Sequence, residues 1–222
     1  VDIVAARPTV YTRDGNDWQH NGAHYNPQNG DNIILTENNQ RLNFDTDINI
    51  GNINLYGYTS WGLIIQTNNL TRQVSINNIV NVNNNETQAA VQNALRVPLG
   101  YGGNKNVKVD ILLHHQVANK GALVEDSKLV IKGNDISVVG AIRFGGASIE
   151  LVFENNNITV DNRIYSNGIQ RGRLTVAGNN VVFTKPIGHD GMNLFSISAL
   201  QIENNKTATL KSNIYANDIT LG

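Results

Sequence analysis

The chain has 222 residues, with 17 Lys and Arg against 18 Asp and Glu and a formal net charge of −1. That balance, with no basic run or stripe, argues against a nucleic-acid partner, and the absence of cysteine excludes disulfides, Cys-ligated metals and Cys nucleophiles. No apolar run approaches the roughly 20 residues of a membrane-spanning helix, so no membrane insertion by this segment is expected.

The first residues, VDIVAARPTVYTRDGNDW, lack the basic and then apolar pattern of a signal peptide, as a mature or excised piece would. The unusual number is asparagine, with 36 residues, many in pairs or triplets. Asn-rich tracts can be disordered. Here Ile, Val and Leu alternate around them and 40% of the chain is hydrophobic, which a disordered chain lacks. The asparagines therefore read as turn residues, since Asn tolerates the left-handed backbone of tight turns.

Residues 1–31 carry few alternating apolar positions, and 1–44 reads as an N-terminal cap or irregular lead-in, because an open repeat end needs its edge covered. From 45 to 222 the chain reads as strands. INIGNINL (48–55) has two strands split by Gly51-Asn52, and VSINNIVNV (74–82) repeats the arrangement with Asn77-Asn78. NNNETQAAVQNALRVP (83–98) breaks the pattern: Ala90, Val91, Ala94 and Leu95 fall at helical spacing, Asn85 suits the N-cap and Pro98 the end. The spacing predicts a short amphipathic helix over 86–96, lying on the side of the rod as a plug or a partner-binding element. GYGGNK (100–105) is a loop and KNVKVDILL (105–113) another strand.

A template then repeats. Apolar residues at Leu129, Ile131, Ile136, Val138 and Ile142 recur at Leu151, Phe153, Ile158, Val160 and Ile164, and again at Leu174, Val176, Val181, Phe183 and Ile187. A fourth copy starts at Leu200 and Ile202, then degrades at Thr207 and Thr209. The copies begin 22, 23 and 26 residues apart, and Asn134, Asn156, Asn179 and Asn205 share one offset. Each copy is a strand, a tight turn with an expected site for positive φ at the shared Asn, a second strand and a longer connection. One copy cannot bury its own apolar face, but stacked copies bury a continuous core. The expected fold is all-β: a right-handed parallel β-helix (β-solenoid) with coils of roughly 22–26 residues, one short lateral α-helix and Asn side chains stacked between rungs. An antiparallel sandwich also gives short alternating strands, but not a repeated five-position template. SNIYANDITLG still reads as strand at the C-terminus, so a fragment of a longer repeat protein is expected.

Few residues point to chemistry. His20 and His24 have zinc-helix spacing, but Asn21-Gly22 and Pro27 oppose a helix there. His114 and His115 follow a strand and point to opposite faces. His189-Asp190 sits in the Gly-flanked loop PIGHDGMN, where such residues serve turn geometry. The acids are scattered, among them Asp45, Asp47, Asp110, Asp135, Glu150, Glu154 and Asp161. GGNKN lacks the spacing of a phosphate-binding loop. Four Asn-x-Thr sequons (Asn69, Asn85, Asn157, Asn205) are what chance gives in so Asn-rich a chain. No catalytic, cofactor-binding or metal residue is assigned.

LVFENNNITV, RLTVAGNNVVF and LKSNIYANDITLG resemble the passenger domains of bacterial autotransporters (type V secretion), and the Asn/Ile-rich style of residues 45–222 is most similar to the rickettsial surface cell antigens. YNPQNGDNI (25–33) resembles the Asn-Pro-Asn-Gly motif of two-partner-secreted exoproteins, with Gln28 departing from it. The autotransporter resemblance implies a β-helical passenger, secreted or on the bacterial surface, that mediates host-cell adhesion or invasion without catalysis. It also implies partners that are host-cell surface proteins or glycans, with self-association as a further role.

Contacts are expected where the repeat is irregular. Aromatic loop residues and arginines are good anchors, which selects Trp18, Tyr25, Tyr56, Tyr58, Trp61, Arg171 and Arg173, with the helix 86–96 and loop 188–193 beside them. Trp61 fits a core position equally well. Two other readings stay open: a carbohydrate-active β-helix enzyme (polysaccharide lyase or hydrolase), which needs an acidic or Asp/Arg/Lys cluster on one face, and a structural spacer or self-associating rod.

Overall fold

Strands this short, with one apolar face each, are covered only by stacking on their neighbours. A computed structural model describes residues 9–12, 18–20, 23–35, 41–55, 63–67, 71–81, 109–115, 127–136, 139–145, 149–168 and 171–222 of the chain. The strands there, in chain order, begin with β1 (Thr9–Thr12), β2 (Trp18–His20), β3 (Ala23–His24), β4 (Asn32–Leu35), β5 (Arg41–Phe44), β6 (Ile48–Leu55) and β7 (Leu63–Thr67). Next come β8 (Gln73–Asn81), β9 (Val109–His115), β10 (Ser127–Ile131), β11 (Val139–Phe144), β12 (Ile149–Phe153) and β13 (Thr159–Val160). The last are β14 (Ile164–Ser166), β15 (Arg173–Val176), β16 (Val181–Phe183), β17 (Ile197–Ile202), β18 (Ala208–Leu210) and β19 (Ala216–Leu221). They form a parallel β-solenoid.

The main sheet runs β19-β17-β15-β12-β10-β8-β6-β4-β1-β2-β3. From β19 to β1 every pairing is parallel, while β1–β2 and β2–β3 are antiparallel. The second sheet is β14-β11-β9-β7-β5 and the third β13-β16-β18. Nine parallel strands about 4.8 Å apart make a stack about 40 Å long. The ladders reach back through β4 and β1, so the boundary drawn at residue 44 is not a break in the main sheet. The antiparallel hairpin β2–β3 is what lies beyond β1.

The register follows the template residue by residue. Leu129, Leu151, Leu174 and Leu200 align across β10, β12, β15 and β17, as do Ile131, Phe153, Val176 and Ile202. Ile142, Ile164, Ile187 and Ile214 form a second ladder. Val138 lies outside the described residues. Contacting residues on adjacent coils are 26 apart at Asn52–Asn78, 22 at Gly140–Asn162, 23 at Asn157–Asn180 and 26 at Gly172–Ser198. The step from Arg72 to Ser127 is 55 residues and carries β9; the helix expected at 86–96 falls within it and lies outside the described residues.

Three expectations change. The fourth copy is not degraded but slipped by one residue: Val181 aligns with Ala208 and Phe183 with Leu210, so the turn after Ile202 holds one residue more than in the preceding coils. Positive φ falls at Asn157 (59°), Asn180 (55°) and Asn205 (61°), one residue past the shared offset in two of the coils. Gly51-Asn52 and Asn77-Asn78 do not split their strands; β6 and β8 run through them. The inward face changes phase there instead, with Ile50 and Ile53 both buried, as are Ile76 and Ile79.

The interior is one contiguous apolar column. Phe153 and Phe183 meet edge to face at 5.6 Å within it. The expected amide stacking is present. Asn78 donates to Asn52 at 3.1 Å, the Asn52 backbone N–H donates to Asn32 at 2.8 Å, and Asn180 donates to Asn157 at 3.0 Å. Asn155 likewise donates to Asn134. These bonds satisfy polar groups at the corners, within the continuous β6–β8 pair and at the turns between strands in the later coils.

Candidate functional site

The coil that leaves β16 does not turn straight into β17. It makes an excursion at 188–195, closed by a His189–Leu194 antiparallel bridge and a 2.8 Å bond from the Phe195 N–H to the Gly188 carbonyl. Asp190 organises the tip. Its Oδ1 accepts from the Met192 N–H at 2.7 Å and the Asn193 N–H at 2.6 Å, and its Oδ2 from the Asn193 amide at 3.3 Å. The backbone N–H groups of Asn193 and Met192, then the Asn193 amide and His189, hold the Asp190 carboxyl below its ordinary value. The Gly191 N–H donates to His189 Nδ1 at 2.9 Å. The His189 ring lies 5.7 Å from Tyr215. Met192 and Leu194 stand out from this ordered turn, 88% and 54% exposed.

Beneath the excursion is an open cleft of about 440 Å³, lined by Asp161, Arg163, Tyr165, Lys185, Asp190 and the Gly140–Ala141 backbone. Solenoid geometry assembles it. Asp161, Arg163 and Tyr165 come from the turn into β14 and from β14 itself, while Lys185 and Asp190 come from the next coil. Arg163 Nη1 donates to the Asp190 carbonyl at 3.0 Å. A Cβ at Gly191 would lie 2.7 Å from that same nitrogen and push the guanidinium aside, and its φ of 109° favours glycine there. Lys185 pairs with Asp161 at 3.8 Å, and the Thr184 hydroxyl also donates to Asp161. Tyr165 is half-buried and stacks on Phe195 at 6.0 Å. Arg163 meets no carboxylate among the described residues. This is an Asp/Arg/Lys cluster on one face, which the sequence showed only as scattered charges.

A second cleft, of about 500 Å³, lies at the other end, between the turn 26–29 and the β5–β6 corner. Trp18 and Phe44 are on its floor and Asn43, Asp45 and Asp47 along it. Here the reading of Trp18 changes. It is 6% exposed and packs 5.9 Å from Phe44, so it is a core residue of the end hairpin and not a protruding contact. A short β2–β3 hairpin leaves its ring nowhere to go but onto the coil below. Tyr25 is half-buried; its hydroxyl donates to Asp31 at 2.9 Å and its ring lies 5.5 Å from His20, so it braces the same hairpin.

Arg171 and Arg173 are exposed. Arg171 donates to the Gly145 carbonyl at 3.1 Å and Arg173 to Gln201 at 3.3 Å. Six strands of the main sheet separate β2 from β15, so Trp18 and Tyr25 share no surface with these arginines. Tyr56, Tyr58 and Trp61 lie outside the described residues. His20 and His24 sit on the two strands of a hairpin, and among the described residues no group of three or more His, Cys, Asp or Glu is placed to hold a metal. No helix among them is long and apolar enough to cross a membrane. Residues 161, 163, 165 and 185 were missed because they converge only once the coil spacing is applied; loop 188–193 was legible as a break in the repeat. No family model, curated protein or solved structure matches the chain.

Proposed function

We propose that the chain is a non-catalytic recognition rod, part of a secreted or surface-displayed bacterial passenger that attaches to a host-cell surface protein or glycan. The observation that carries this reading is the 188–195 excursion. An apolar Met192/Leu194 tip is exposed on a turn fixed by six hydrogen bonds and mounted on a stacked scaffold. A turn already fixed by hydrogen bonds loses little backbone freedom when its exposed apolar side chains are bound. The autotransporter-like repeat supports the extracellular setting. The test is binding of the labelled chain to epithelial or endothelial cells, competed by unlabelled chain. Saturable, competable binding is expected; its absence with a folded, β-rich sample would move the reading to a spacer.

A second reading, a carbohydrate-active enzyme, is favoured by one observation: Asp161, Arg163 and Lys185 share a cleft. It predicts new reducing ends or an unsaturated product when the chain is incubated with acidic polysaccharide.

A further inference from the structure

The cleft under the excursion poses a chemical question of its own. Arg163 uses Nη1 on a backbone carbonyl and has no carboxylate to answer its charge among the described residues. A guanidinium fork seeks a planar anion that accepts two parallel bonds. Yet the cleft is not simply cationic. Asp161 faces it, tied to Lys185 and to the Thr184 hydroxyl but still about half exposed. The Asp190 carboxylate is turned into its own loop, so its contribution to the cleft is the backbone that steadies Arg163. Tyr165 adds part of an aromatic face, held in place by Phe195.

A bare anion would satisfy Arg163 and Lys185 but bring Asp161 no hydrogen-bond donor to offset the like charge. A neutral sugar could donate to Asp161 and lie against Tyr165 but would leave Arg163 without its anion. A ligand with a carboxylate, several hydroxyl donors and an apolar ring face answers all of them. The volume of about 440 Å³ lies in the range of small-molecule sites, roughly 300–1,000 Å³.

We infer that the Asp161/Arg163/Tyr165/Lys185 cleft binds a carboxylate-bearing saccharide, such as a uronate or sialate residue of a glycan. In this arrangement the carboxylate sits on Arg163 with Lys185 near, ring hydroxyls donate to Asp161, and the sugar's C–H face lies against Tyr165. The inference deepens the recognition reading and rests on it for an extracellular glycan source, but its test does not depend on cells.

The experiment is calorimetric or NMR titration of the whole chain with trigalacturonate and with 3′-sialyllactose. Lactose serves as the neutral comparator and sodium sulfate as the bare anion. At least one acidic saccharide is expected to bind at least tenfold more tightly than lactose or sulfate. Arg163→Gln is expected to weaken it at least tenfold, Lys185→Gln less, and Lys128→Gln on the far sheet not at all. Circular dichroism of each variant reports folding, and Lys185→Gln carries the test if Arg163→Gln is unfolded. No binding, equal binding of lactose, equal binding of sulfate, or binding indifferent to the Arg163 and Lys185 substitutions would each overturn the inference. Saccharide binding without cell attachment would sink the adhesion reading and leave the cleft standing; attachment unaffected by Arg163→Gln together with no saccharide binding would do the reverse.

Discussion

Asp190 shows what a single side chain does in this molecule. Its carboxylate ties three donors of residues 192 and 193, and those bonds hold its folded pKa below the ordinary 3.8. A depressed folded pKa means the stabilisation is present at pH above the unfolded value and is lost as the pH falls through the folded one. The Met192 and Asn193 amides should therefore be protected from hydrogen exchange near neutrality and lose protection below about pH 3.8, ahead of the coil amides. Asp190→Ala should remove that protection at every pH, whereas Asp190→Asn, which keeps an acceptor oxygen, should retain part of it without the acid transition. Asn157 makes a second case. At φ 59° it sits where a Cβ residue is disfavoured, and its Oδ1 accepts from Asn180. Asn157→Ala should cost about 1–2 kcal/mol in chemical denaturation, and Asn157→Gly less, because glycine takes the backbone angle and loses only the amide bond.

At the scale of the element, the unit is the aligned rung. Phe153 is fully buried, edge-on to Phe183 one coil away, so truncating it leaves a void that two coils share. Phe153→Ala should destabilise the stack by about 3–5 kcal/mol, read as a lowered denaturation midpoint with an unchanged slope. Gly172 is a sharper constraint: φ is +74° and an added Cβ would lie 2.1 Å from the Phe144 ring. Gly172→Ala should cost at least about 2 kcal/mol by the same measurement. This scale is also where the sequence was most readable. Leu129, Leu151, Leu174 and Leu200 could be aligned by counting, because a parallel stack turns equal offsets into physical neighbours. The fourth coil slipped because one added turn residue moves the inward phase without changing residue types, and Thr207-Ala208-Thr209-Leu210 fits either phase. The phase change at Gly51-Asn52 resembled a break because two inward residues then flank a corner within one strand.

For the whole molecule, the solenoid converts sequence distance into a surface. Asp161, Arg163 and Tyr165 meet Lys185 and Asp190 because each coil returns to the same corner; nothing local in RIYS or TKP announces a site. Trp18 was hard to place for the opposite reason: composition marks an aromatic as a candidate, and only the fold shows that its ring packs on Phe44 at the floor of a cleft. The coil faces are repetitive and hydrogen-bonded along their length, while the corner at 161–195 combines an exposed apolar tip with a guanidinium that meets no carboxylate among the described residues. The proposed recognition would fall at that corner. The most direct measurement is saturation binding of labelled chain to epithelial cells, comparing the unaltered chain with the Met192→Ser/Leu194→Ser double variant, Arg163→Gln and Lys128→Gln, all shown to be folded. Recognition through the corner requires at least a tenfold loss of affinity in the double variant or in Arg163→Gln and none in Lys128→Gln. Equal affinity across all four chains would contradict it.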